Sequence, residues 1–357
     1  MSGTSLDGLD IAYCTFTENI AGWEYKIDAA DCIPYTDSWK NALQHAPSLS
    51  GYDLILLHKN YGFYLADCIN NFNRKYNLQP QLIASHGHTI YHDPQKYLSL
   101  QIGDGAALFS RTSIPVVCDF RSVDVCLGGQ GAPLVPIGDK LLFSNYDFCL
   151  NLGGIANISF ENNEGKRIAY DISPCNLLLN KLANMEGLEY DKNGELAQKG
   201  ITDQNLLALL DNWEYYKNPA PKSLDKDQLM NDLWPLISEA EISVSDKLAT
   251  VTFHIAKQIS KAINAQIPYR QSEKNASKLL ATGGGAFNKH LIQSIQHQTD
   301  VKIIVPDANL VNYKEALIFA FLGLLRLRNK NNSLATVTGA KTDSIGGALY
   351  GDFSVFV

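Results

Sequence analysis

Three glycine-rich turns recur along this sequence, each beside an apolar strand pattern, and they limit the folds that the chain can adopt. The first, Gly3–Asp10, runs directly into the alternating residues of the range 11–16. The second is Gly153-Gly154, flanked by apolar residues on both sides, and the third is Thr282–Asn288, which follows an apolar run at 279–281. A single turn of this kind could be a tight hairpin. Three in this order predict backbone N–H groups aimed at a polyanion, with a nucleotide clamped between two related halves.

Composition sets further limits on the class of protein. The chain has 357 residues, of which 45% are hydrophobic and 19% charged, so two globular domains are expected. The net charge of −7 and the absence of a long basic run argue against a nucleic-acid partner. The longest apolar run, 316–325, is far shorter than the roughly 20 residues that span a bilayer. Without a charged-then-apolar leader, the sequence predicts a cytoplasmic protein that needs no membrane.

The cysteines point to the same compartment. There are seven, an odd number, and no two form a C-x-x-C pair. This pattern is typical of reduced thiols in a cytosol and does not resemble a disulfide framework or a zinc knuckle.

Hydrophobic periodicity predicts an α/β protein of two domains. Helical spacing indicates helices within 38–76, 174–185, 246–266 and 313–328, and short apolar strands are expected at 82–84, 115–120 and 301–305. A glycine-rich connection at 127–134 places the boundary, which gives an N-terminal domain of 1–135 and a C-terminal domain of 136–357. The last segment of the chain could pack back on the first domain. The stretch 218–223, with two prolines, is a candidate exposed loop or lid.

Two common nucleotide-binding motifs are absent from the sequence. There is no G-x-x-x-x-G-K-[ST], so the chain is not a P-loop enzyme. No strand is followed by G-x-G-x-x-G, which argues against a dinucleotide-binding fold.

Asp171 is the candidate catalytic carboxylate. It stands at the end of an apolar strand, directly before Ile-Ser-Pro-Cys-Asn and a predicted helix. A carboxylate at a strand end faces a crevice, where it can act as a general base. An aspartate in this position could equally cap the helix.

Three histidines, His86, His88 and His92, have spacing that could suit a metal. Residues two apart on a strand point the same way. No second cluster of His, Asp or Glu complements them in the sequence, which favours a hinge or a substrate contact over a metal site. A metal-dependent hydrolase built on these histidines stays open as an alternative.

Two charged residues are candidates for ligand contact. Arg121 ends a strand, and its planar fork suits a carboxylate or a phosphate, although an ion pair with the nearby Asp124 would explain it as well. Glu315 begins the last long apolar helix pattern, so it is either a first-turn helix acid or a side chain that reaches the cleft.

Taken together, the motifs resemble those of the anhydro-N-acetylmuramic acid kinase family, within the superfamily of actin, sugar kinases and heat-shock ATPases. The match runs in order from residue 1 to about residue 348 and comprises the segments 1–10, 85–89 with His92 and Pro94, 100–104, 119–121, 128–134, 151–157, 221–223, 282–285 with Asn288, 315–316 and 338–340. Each segment alone is modest, but the ordered set is highly specific.

The resemblance implies two RNase-H-like domains, with mixed five-stranded-type sheets flanked by helices, around a cleft for ATP and Mg²⁺. It implies that the phosphates lie on one turn, made of Gly3, Thr4, Ser5, Leu6, Asp7, Gly8, Leu9 and Asp10. The nucleoside would lie near Gly283, Gly284, Gly285 and Asn288, and no residue is assigned as a direct protein ligand of a metal. Asp171 matches the catalytic aspartate, and the substrate contacts would be His86, Arg121, Asn176 and Glu315.

The family reaction fits these residues. Members open a 1,6-anhydro sugar with water and phosphorylate the freed 6-oxygen, which yields N-acetylmuramic acid 6-phosphate during peptidoglycan recycling. Asp171 would activate the water, and Arg121 would neutralise the lactyl carboxylate of the sugar. The resemblance also implies a homodimer and two domains that close on their ligands.

The sequence departs from the family pattern in three places. Ser173 and Cys175 replace glycines that many members have, and His88 replaces a glutamine. The apolar strand that precedes the first turn in the family is missing before Met1, which predicts a truncated first strand. A kinase for another amino sugar and a silent nucleotide-binding protein therefore stay open as alternatives.

Overall fold

The computed structural model describes residues 1–3, 6–20, 22–220, 222–267 and 277–356, without the side chain of Val355. Contacts divide the chain into one unit of Met1–Leu142 with Tyr313–Val357 and a second unit of Phe143–Asn312. The sequence placed the boundary after residue 135 and allowed the last segment of the second domain to pack back on the first. The contacts group 313–357 with the first unit and begin the second unit at Phe143. No helix in the described ranges is long and apolar enough to cross a membrane.

The first unit begins with a long hairpin of β1 (Gly8–Asn19) and β2 (Gly22–Pro34), paired antiparallel with Gly8 opposite Pro34. The sequence predicted only part of β1, as residues 11–16, and missed β2. At Gly8 a Cβ atom would lie 2.6 Å from the carbonyl oxygen of Ile33, so this start of the hairpin requires glycine.

Two helices follow the hairpin where one helical region was predicted. They are α1 (Asp37–His45), capped by Thr36, and α2 (Gly51–Tyr76), capped by Ser50. A 3-10 turn over Ala46–Ser48 separates them, because Pro47 lacks the N–H that a continuous helix needs.

A three-stranded sheet forms the rest of the first unit's framework. Here β3 (Ile83–Ser85) runs parallel to β6 (Val116–Cys118), and β12 (Ala348–Tyr350) pairs antiparallel with β6. A second hairpin joins β4 (His88–Asp93) to β5 (Leu98–Ile102). The remaining elements of this unit are α3 (Gly105–Thr112), α4 (Ser122–Cys126), α5 (Val135–Leu142) and α13 (Ala335–Thr338).

The second unit is built on one five-stranded mixed sheet in the order β11-β10-β7-β8-β9. The central β7 (Phe148–Leu152) is parallel to β10 and antiparallel to β8, and β9 pairs antiparallel with β8. This order is RNase-H-like, and the mixed α/β class predicted from the sequence is confirmed. The other strands are β8 (Ile155–Glu161), β9 (Arg167–Pro174), β10 (Lys278–Thr282) and β11 (Lys302–Ile304).

Helices cover this sheet and bury its apolar side chains. The core includes Leu150, Ile158 and Leu279 from the sheet and Val251 and Ile255 from the longest covering helix, all fully buried. The helices are α6 (Asn176–Asn184), α7 (Glu195–Lys199), α8 (Gln204–Asp211), α9 (Lys226–Ser238), α10 (Val244–Asn264) and α11 (Lys289–Gln296). α12 (Ala308–Leu327) follows, and its backbone departs from helical geometry at Tyr313.

The pairing of β7 with β10 positions two of the glycine turns. These strands are parallel, with Asn151 opposite Thr282, and the turns at 153–154 and 283–285 follow their carboxyl ends. Because the carboxyl ends of parallel strands meet at the same sheet edge, turns that lie 130 residues apart in sequence become neighbours.

Candidate active site

The first glycine turn is closed at its base by backbone pairing. Ser2 forms an antiparallel bridge with Leu9, and the N–H of Asp10 donates to the carbonyl of Met1 at 2.9 Å. Leu6 adopts a left-handed backbone with φ of 60°. Asp7 is exposed and Asp10 is half-buried, so two carboxylates accompany the turn. Thr4 and Ser5, both predicted phosphate contacts, lie outside the described residues.

A buried polar cluster supports this turn from below. The Oγ of Ser2 accepts a hydrogen bond from the Tyr35 hydroxyl at 2.7 Å and bonds His88 Nδ1 at 2.8 Å. The Tyr35 hydroxyl also lies 2.5 Å from that of Tyr61. Burial lowers the pKa of His88, so its imidazole is neutral at physiological pH. His88 therefore holds the start of the turn in place.

His86 and Arg121 form a second polar pair in the first unit. Arg121 donates to His86 Nε2 from Nε at 3.0 Å and from Nη2 at 2.8 Å, and from Nη1 to the carbonyl of Gly131 at 2.6 Å. His86 Nδ1 lies 2.9 Å from the carbonyl of Gly87, which fixes the proton on Nδ1. Burial, together with the charge of Arg121, lowers the pKa of His86 to about 3. The hydrogen bonds that fix Arg121 thus go to neutral acceptors.

Asp124 does not form the ion pair with Arg121 that the sequence allowed. It is 1% exposed, and its oxygens accept hydrogen bonds from Ser333 Oγ at 2.6 Å, Thr338 Oγ1 at 2.7 Å and the N–H of Gly131 at 2.8 Å. Its task is to tie the glycine-rich connection to the segment that contains Ser333 and Thr338. Burial lowers the pKa of Arg121 to about 10, against the charges of Glu315 and Asp124, which raise it.

Glu315 lies two residues after the irregular position Tyr313 in α12, which leaves both sequence interpretations of this residue possible. Its side chain is exposed. Although the side chain reaches solvent, desolvation by the surrounding protein raises the pKa of its carboxyl group, and the charges of Arg121 and Lys314 oppose that shift.

The three histidines do not assemble into a metal site. His86 and His88 bond the partners given above, and His92 Nδ1 bonds Ser99 Oγ at 3.1 Å. Within the described ranges no group of three or more His, Cys, Asp or Glu side chains is arranged to hold a metal ion. The geometry of these side chains therefore gives no support to the hydrolase alternative.

In the second unit, the two remaining glycine turns meet Asn176. The Nδ2 of Asn176 donates to the carbonyl of Leu152 at 3.0 Å, and the backbone N–H of Asn176 donates to the carbonyl of Gly153 at 3.2 Å. A Cβ atom at Gly285 would lie 2.8 Å from Leu152 Cβ and 3.2 Å from Asn176 Oδ1. Gly283 has φ of 81°, and a Cβ atom there would lie 2.5 Å from Asn151 Oδ1. Glycine is therefore required at both positions, because the turn packs closely against the end of β7 and against Asn176.

Asn288 has a structural task in this region. Its Oδ1 accepts from the N–H of Leu291 at 3.0 Å and so caps α11. The predicted contact of Asn288 with a nucleoside would have to use the rest of the side chain.

Asp171 lies within β9 and not at its end, because the strand continues to Pro174. Asn157 pairs with Asp171 and Ala156 with Ser173, which leaves Ile172 as an extra residue in a β-bulge. A bulge re-aims the neighbouring side chains and is common beside active sites. The alternative role of Asp171 as a helix cap is wrong, because Cys175 occupies the N-cap position of α6 without a side-chain cap bond.

Three hydrogen bonds fix Asp171 in the sheet edge. Its Oδ2 accepts from the N–H of Leu224 at 2.9 Å, its N–H donates to the carbonyl of Lys222 at 3.0 Å, and its carbonyl accepts from the Tyr215 hydroxyl at 2.6 Å. Burial raises the pKa of the carboxyl group, against the Leu224 bond, which lowers it. A carboxylate of raised pKa is suited to accept a proton near neutral pH.

The glycine replacements near Asp171 are accommodated without left-handed backbone. Ser173 is a fully buried strand residue, and Cys175 has φ of −139°. Cys175 is also fully buried, and burial raises the pKa of its thiol to about 12. Neither position therefore has the positive φ that favours glycine.

Sequence reasoning missed the residues that hold Asp171. Tyr215 and Leu224 carried no signal as isolated residues. Lys222 was part of the predicted lid, but its carbonyl bonds Asp171, and its amine donates to the carbonyl of Tyr215 at 3.0 Å. The neighbouring lid residue Pro221 lies outside the described residues.

The RNase-H-like sheet, the glycine turns at its strand ends and the carboxylate of raised pKa define a nucleotide-using α/β enzyme. Comparison with known proteins narrows this class. A family model described as "Anhydro-N-acetylmuramic acid kinase" matches residues 1–352, and the chain belongs to that family.

Individual relatives agree with the family model. The chain is 33% identical to the anhydro-N-acetylmuramic acid kinase of Haemophilus influenzae, over 98% of this chain and 96% of that protein. It is 34% identical to the enzyme of the same name from Hydrogenovibrio crunogenus, again over 98% and 96%. The activator of the 2-hydroxyisocaproyl-CoA dehydratase from Clostridium difficile, solved with bound ADPNP, aligns at a TM-score of 0.35 and 14% identity, over 62% of this chain and 82% of that one.

Proposed function

We propose that this protein uses ATP to convert 1,6-anhydro-N-acetylmuramic acid and water into N-acetylmuramic acid 6-phosphate, as a cytoplasmic step of peptidoglycan recycling. Within a kinase family, the observation that carries the proposal is Asp171. Its Oδ2 is held by Leu224, its Oδ1 receives no hydrogen bond from the described residues, and burial raises its pKa. One carboxylate oxygen is thus left to bond a water.

Asp171 accepts a proton from a water that attacks the anomeric carbon of the sugar. The new C–O bond forms as the anhydro bridge breaks, and the electron pair of the bridge stays on the 6-oxygen. That oxygen attacks the γ-phosphorus of ATP, and ADP leaves. Phosphoryl transfer depends mainly on positioning and on neutralisation of charge, so the protein needs no covalent intermediate.

The phosphates are assigned to the turn Gly3–Asp10, and the nucleoside to Gly283–Gly285 with Asn288. Asp7 and Asp10 fit Mg²⁺, because this ion prefers oxygen donors and commonly takes one or two carboxylates, with phosphates and waters completing its shell. Bound Mg²⁺ would supply neutralisation of phosphate charge. A side chain at Gly283 or Gly285 would clash with Asn151 or Leu152, so this turn can offer a ligand only its backbone.

The sugar is assigned to Arg121, Asn176 and Glu315, and His86 acts on it through Arg121, because both ring nitrogens of His86 are already bonded. Arg121, held by the neutral acceptors His86 and Gly131, neutralises the lactyl carboxylate of the sugar with its guanidinium charge. Glu315 and Asn176 offer groups that can bond hydroxyl or amide groups of the sugar. We also propose that the protein works as a homodimer, as its family resemblance implies.

The test is ATP turnover with and without 1,6-anhydro-N-acetylmuramic acid, followed by mass spectrometry of the sugar. We expect a product heavier by one water and one phosphoryl group. A product heavier by a phosphoryl group alone, from another amino sugar, would establish a different substrate. Binding of ATP without turnover on any sugar would establish a silent nucleotide-binding protein.

Replacement of Asp171 by Asn tests the general base. Asn keeps the size of the side chain but cannot accept the proton, so kcat should fall by about 10²-fold or more, since a positioned base contributes 10²–10⁴. ATP affinity, measured by titration calorimetry, should stay within about twofold of the native protein. Turnover near the native rate in D171N would exclude Asp171 as the base. D191N is the matched control, because the two carboxylate oxygens of Asp191 accept from the backbone N–H groups of Leu196 and Ala197 in α7.

A further inference from the structure

A buried chain of polar side chains lies in the second unit and has no part in the chemistry above. His254, 1% exposed on α10, bonds Asp211 Oδ1 through Nδ1 at 2.9 Å and the Tyr216 hydroxyl through Nε2 at 2.8 Å. Burial lowers the pKa of His254, so its imidazole is neutral and takes the tautomer with the proton on Nδ1. Tyr216 therefore donates to Nε2, and His254 donates to Asp211.

Asp211 is the fixed end of this chain. Besides His254, its carboxylate accepts from Gln258 Nε2 at 2.8 Å and from Lys257 Nζ at 2.5 Å. Burial raises the pKa of Asp211, but the hydrogen bonds from His254 and Lys257 and the positive charge of Lys257 outweigh it and hold the pKa below its usual range. A buried network in which each member has its partners is rigid.

The chain ends on the 3-10 turn Glu214–Lys217, which carries Tyr215 beside Tyr216. The same turn is anchored on its other side, since Trp213 Nε1 donates to Asp232 Oδ2 of α9 at 2.8 Å. Three helices, α8, α9 and α10, thus hold a turn of four residues. This support exceeds what an ordinary connecting loop receives.

Tyr215 connects this supported turn to Asp171 through hydrogen bonds. Its hydroxyl donates to the carbonyl of Asp171 at 2.6 Å, and its own carbonyl accepts from Lys222 Nζ at 3.0 Å. The carbonyl of Lys222 in turn accepts the N–H of Asp171 at 3.0 Å. Asp171, Lys222 and Tyr215 therefore close a ring of three hydrogen bonds around the bulge in β9.

We propose that Tyr215 is a positioning residue for Asp171, and that the chain Asp211–His254–Tyr216 holds Tyr215 in place. The inference rests on the proposed function, in which Asp171 is the general base. The Tyr215 hydroxyl fixes the backbone of Asp171, and Lys222 fixes the segment that presents Leu224 to Oδ2. Burial and the charge of Asp171 raise the pKa of Tyr215, so its hydroxyl remains a donor over the working pH range.

The experiment compares the native protein with Y215F, which removes one hydroxyl and keeps the ring. We expect kcat to fall about 10- to 100-fold, because small misplacements of reacting groups have effects of this size. KM for the sugar should stay within about twofold, and the acid limb of the kcat/KM profile should move to higher pH as the Leu224 bond to the carboxylate loosens. Among the described residues, the ionisable side chains next to Asp171 are those of Tyr215, Tyr170 and Lys222. Y215F removes the first, and burial raises the pKa of Tyr170 and lowers that of Lys222.

Two further variants make the result decisive. Y190F removes the hydroxyl of an exposed tyrosine of the same unit and should change neither kcat nor the pH profile. Y216F cuts the supporting chain and should reproduce the Y215F changes more weakly, which keeps the inference testable if Y215F does not fold. If the native protein turns over and folded Y215F has the same kcat and the same acid limb, this inference is wrong while the proposed function stands. If Y215F does not fold, the same result in Y216F contradicts the inference. Absence of turnover in the native protein overturns the proposed function instead.

Discussion

At the scale of single residues, the chain uses neutral histidines to hold reactive or charged neighbours. His86 accepts two hydrogen bonds from Arg121, and His254 links Asp211 to Tyr216. Both rings are buried, and both have lowered pKa values because burial disfavours the imidazolium. Each histidine thus orients a partner without adding charge.

Replacement of Arg121 by Lys tests this arrangement at the sugar site. Lysine keeps the positive charge but loses the planar fork that bonds His86 and Gly131 together. We expect KM for the anhydro sugar to rise about 10-fold or more, with ATP affinity unchanged, as measured by initial rates and calorimetry. R111K, at an exposed ion pair with Asp67, is the control and should behave as the native protein. A native KM in R121K would show that the fork is not needed.

At the scale of elements, the turns work because parallel strands bring distant segments to one edge. β7 and β10 are adjacent, so the turns after them share Asn151, Leu152 and Asn176 as neighbours. The bulge at Ile172 adjusts the next strand pair so that Asp171 meets the segment 222–224. Backbone geometry thus positions each group before any ligand arrives.

A pair of glycine substitutions compares a crowded turn with an open one. Gly283 and Gly165 have φ of 81° and 72°, but a Cβ atom at Gly165 would meet nothing within 4 Å. G165A should therefore destabilise the protein by about 1–2 kcal/mol through strain alone. G283A should cost about 1–3 kcal/mol more, from overpacking against Asn151 and from a backbone (φ 81°, ψ 161°) that essentially only glycine adopts, and should weaken ATP binding. Urea unfolding and calorimetry measure both effects, and equal losses of stability in the two variants would show that the turn is not crowded.

At the scale of the whole molecule, each unit has a hydrophobic core of its own. The core of the first includes Leu9, Tyr61 and Val116, whereas that of the second is built on the five-stranded sheet and α10. Buried neutral histidines, His86 in the first unit and His254 in the second, make the stability of both units depend on pH. The unfolded chain binds protons at these histidines with a pKa near 6.5, whereas the folded chain resists them.

Stability should fall as the pH drops below about 6.5. His86 has a folded pKa of about 3, so its contribution is fully present above the unfolded pKa and is lost between about pH 6.5 and 3. Between pH 6.5 and 5 the loss from this residue is about 2 kcal/mol, at 1.36 kcal/mol for each pH unit. Hydrogen exchange of the segment 83–88 at pH 7.5 and 5 measures it. H86Q should reduce this pH dependence and H297Q, at an exposed histidine, should not; an equal slope in H86Q would exclude His86 as its source.

Sequence patterns could predict those parts of the fold and site whose signals are local. The helices α6 and α10 and the glycine turns follow from apolar spacing and from the residues that permit tight turns. The ring of hydrogen bonds around Asp171 could not be predicted, because Tyr215 and Leu224 lie 44 and 53 residues further along the chain. The bulge at Ile172 and the chain from Asp211 to Tyr216 likewise depend on tertiary packing, which periodicity does not encode.

Cys175, between the strand of Asp171 and the side chain of Asn176, has a consequence for how the enzyme withstands oxidants. Peroxides and alkylating agents attack the thiolate, and a fully buried thiol with a pKa of about 12 forms almost none at neutral pH. Cys126, by contrast, is exposed. Such reagents should therefore modify Cys126 before Cys175. The segment that holds Asp171 should stay unmodified, and the enzyme active, while the exposed thiol is oxidised.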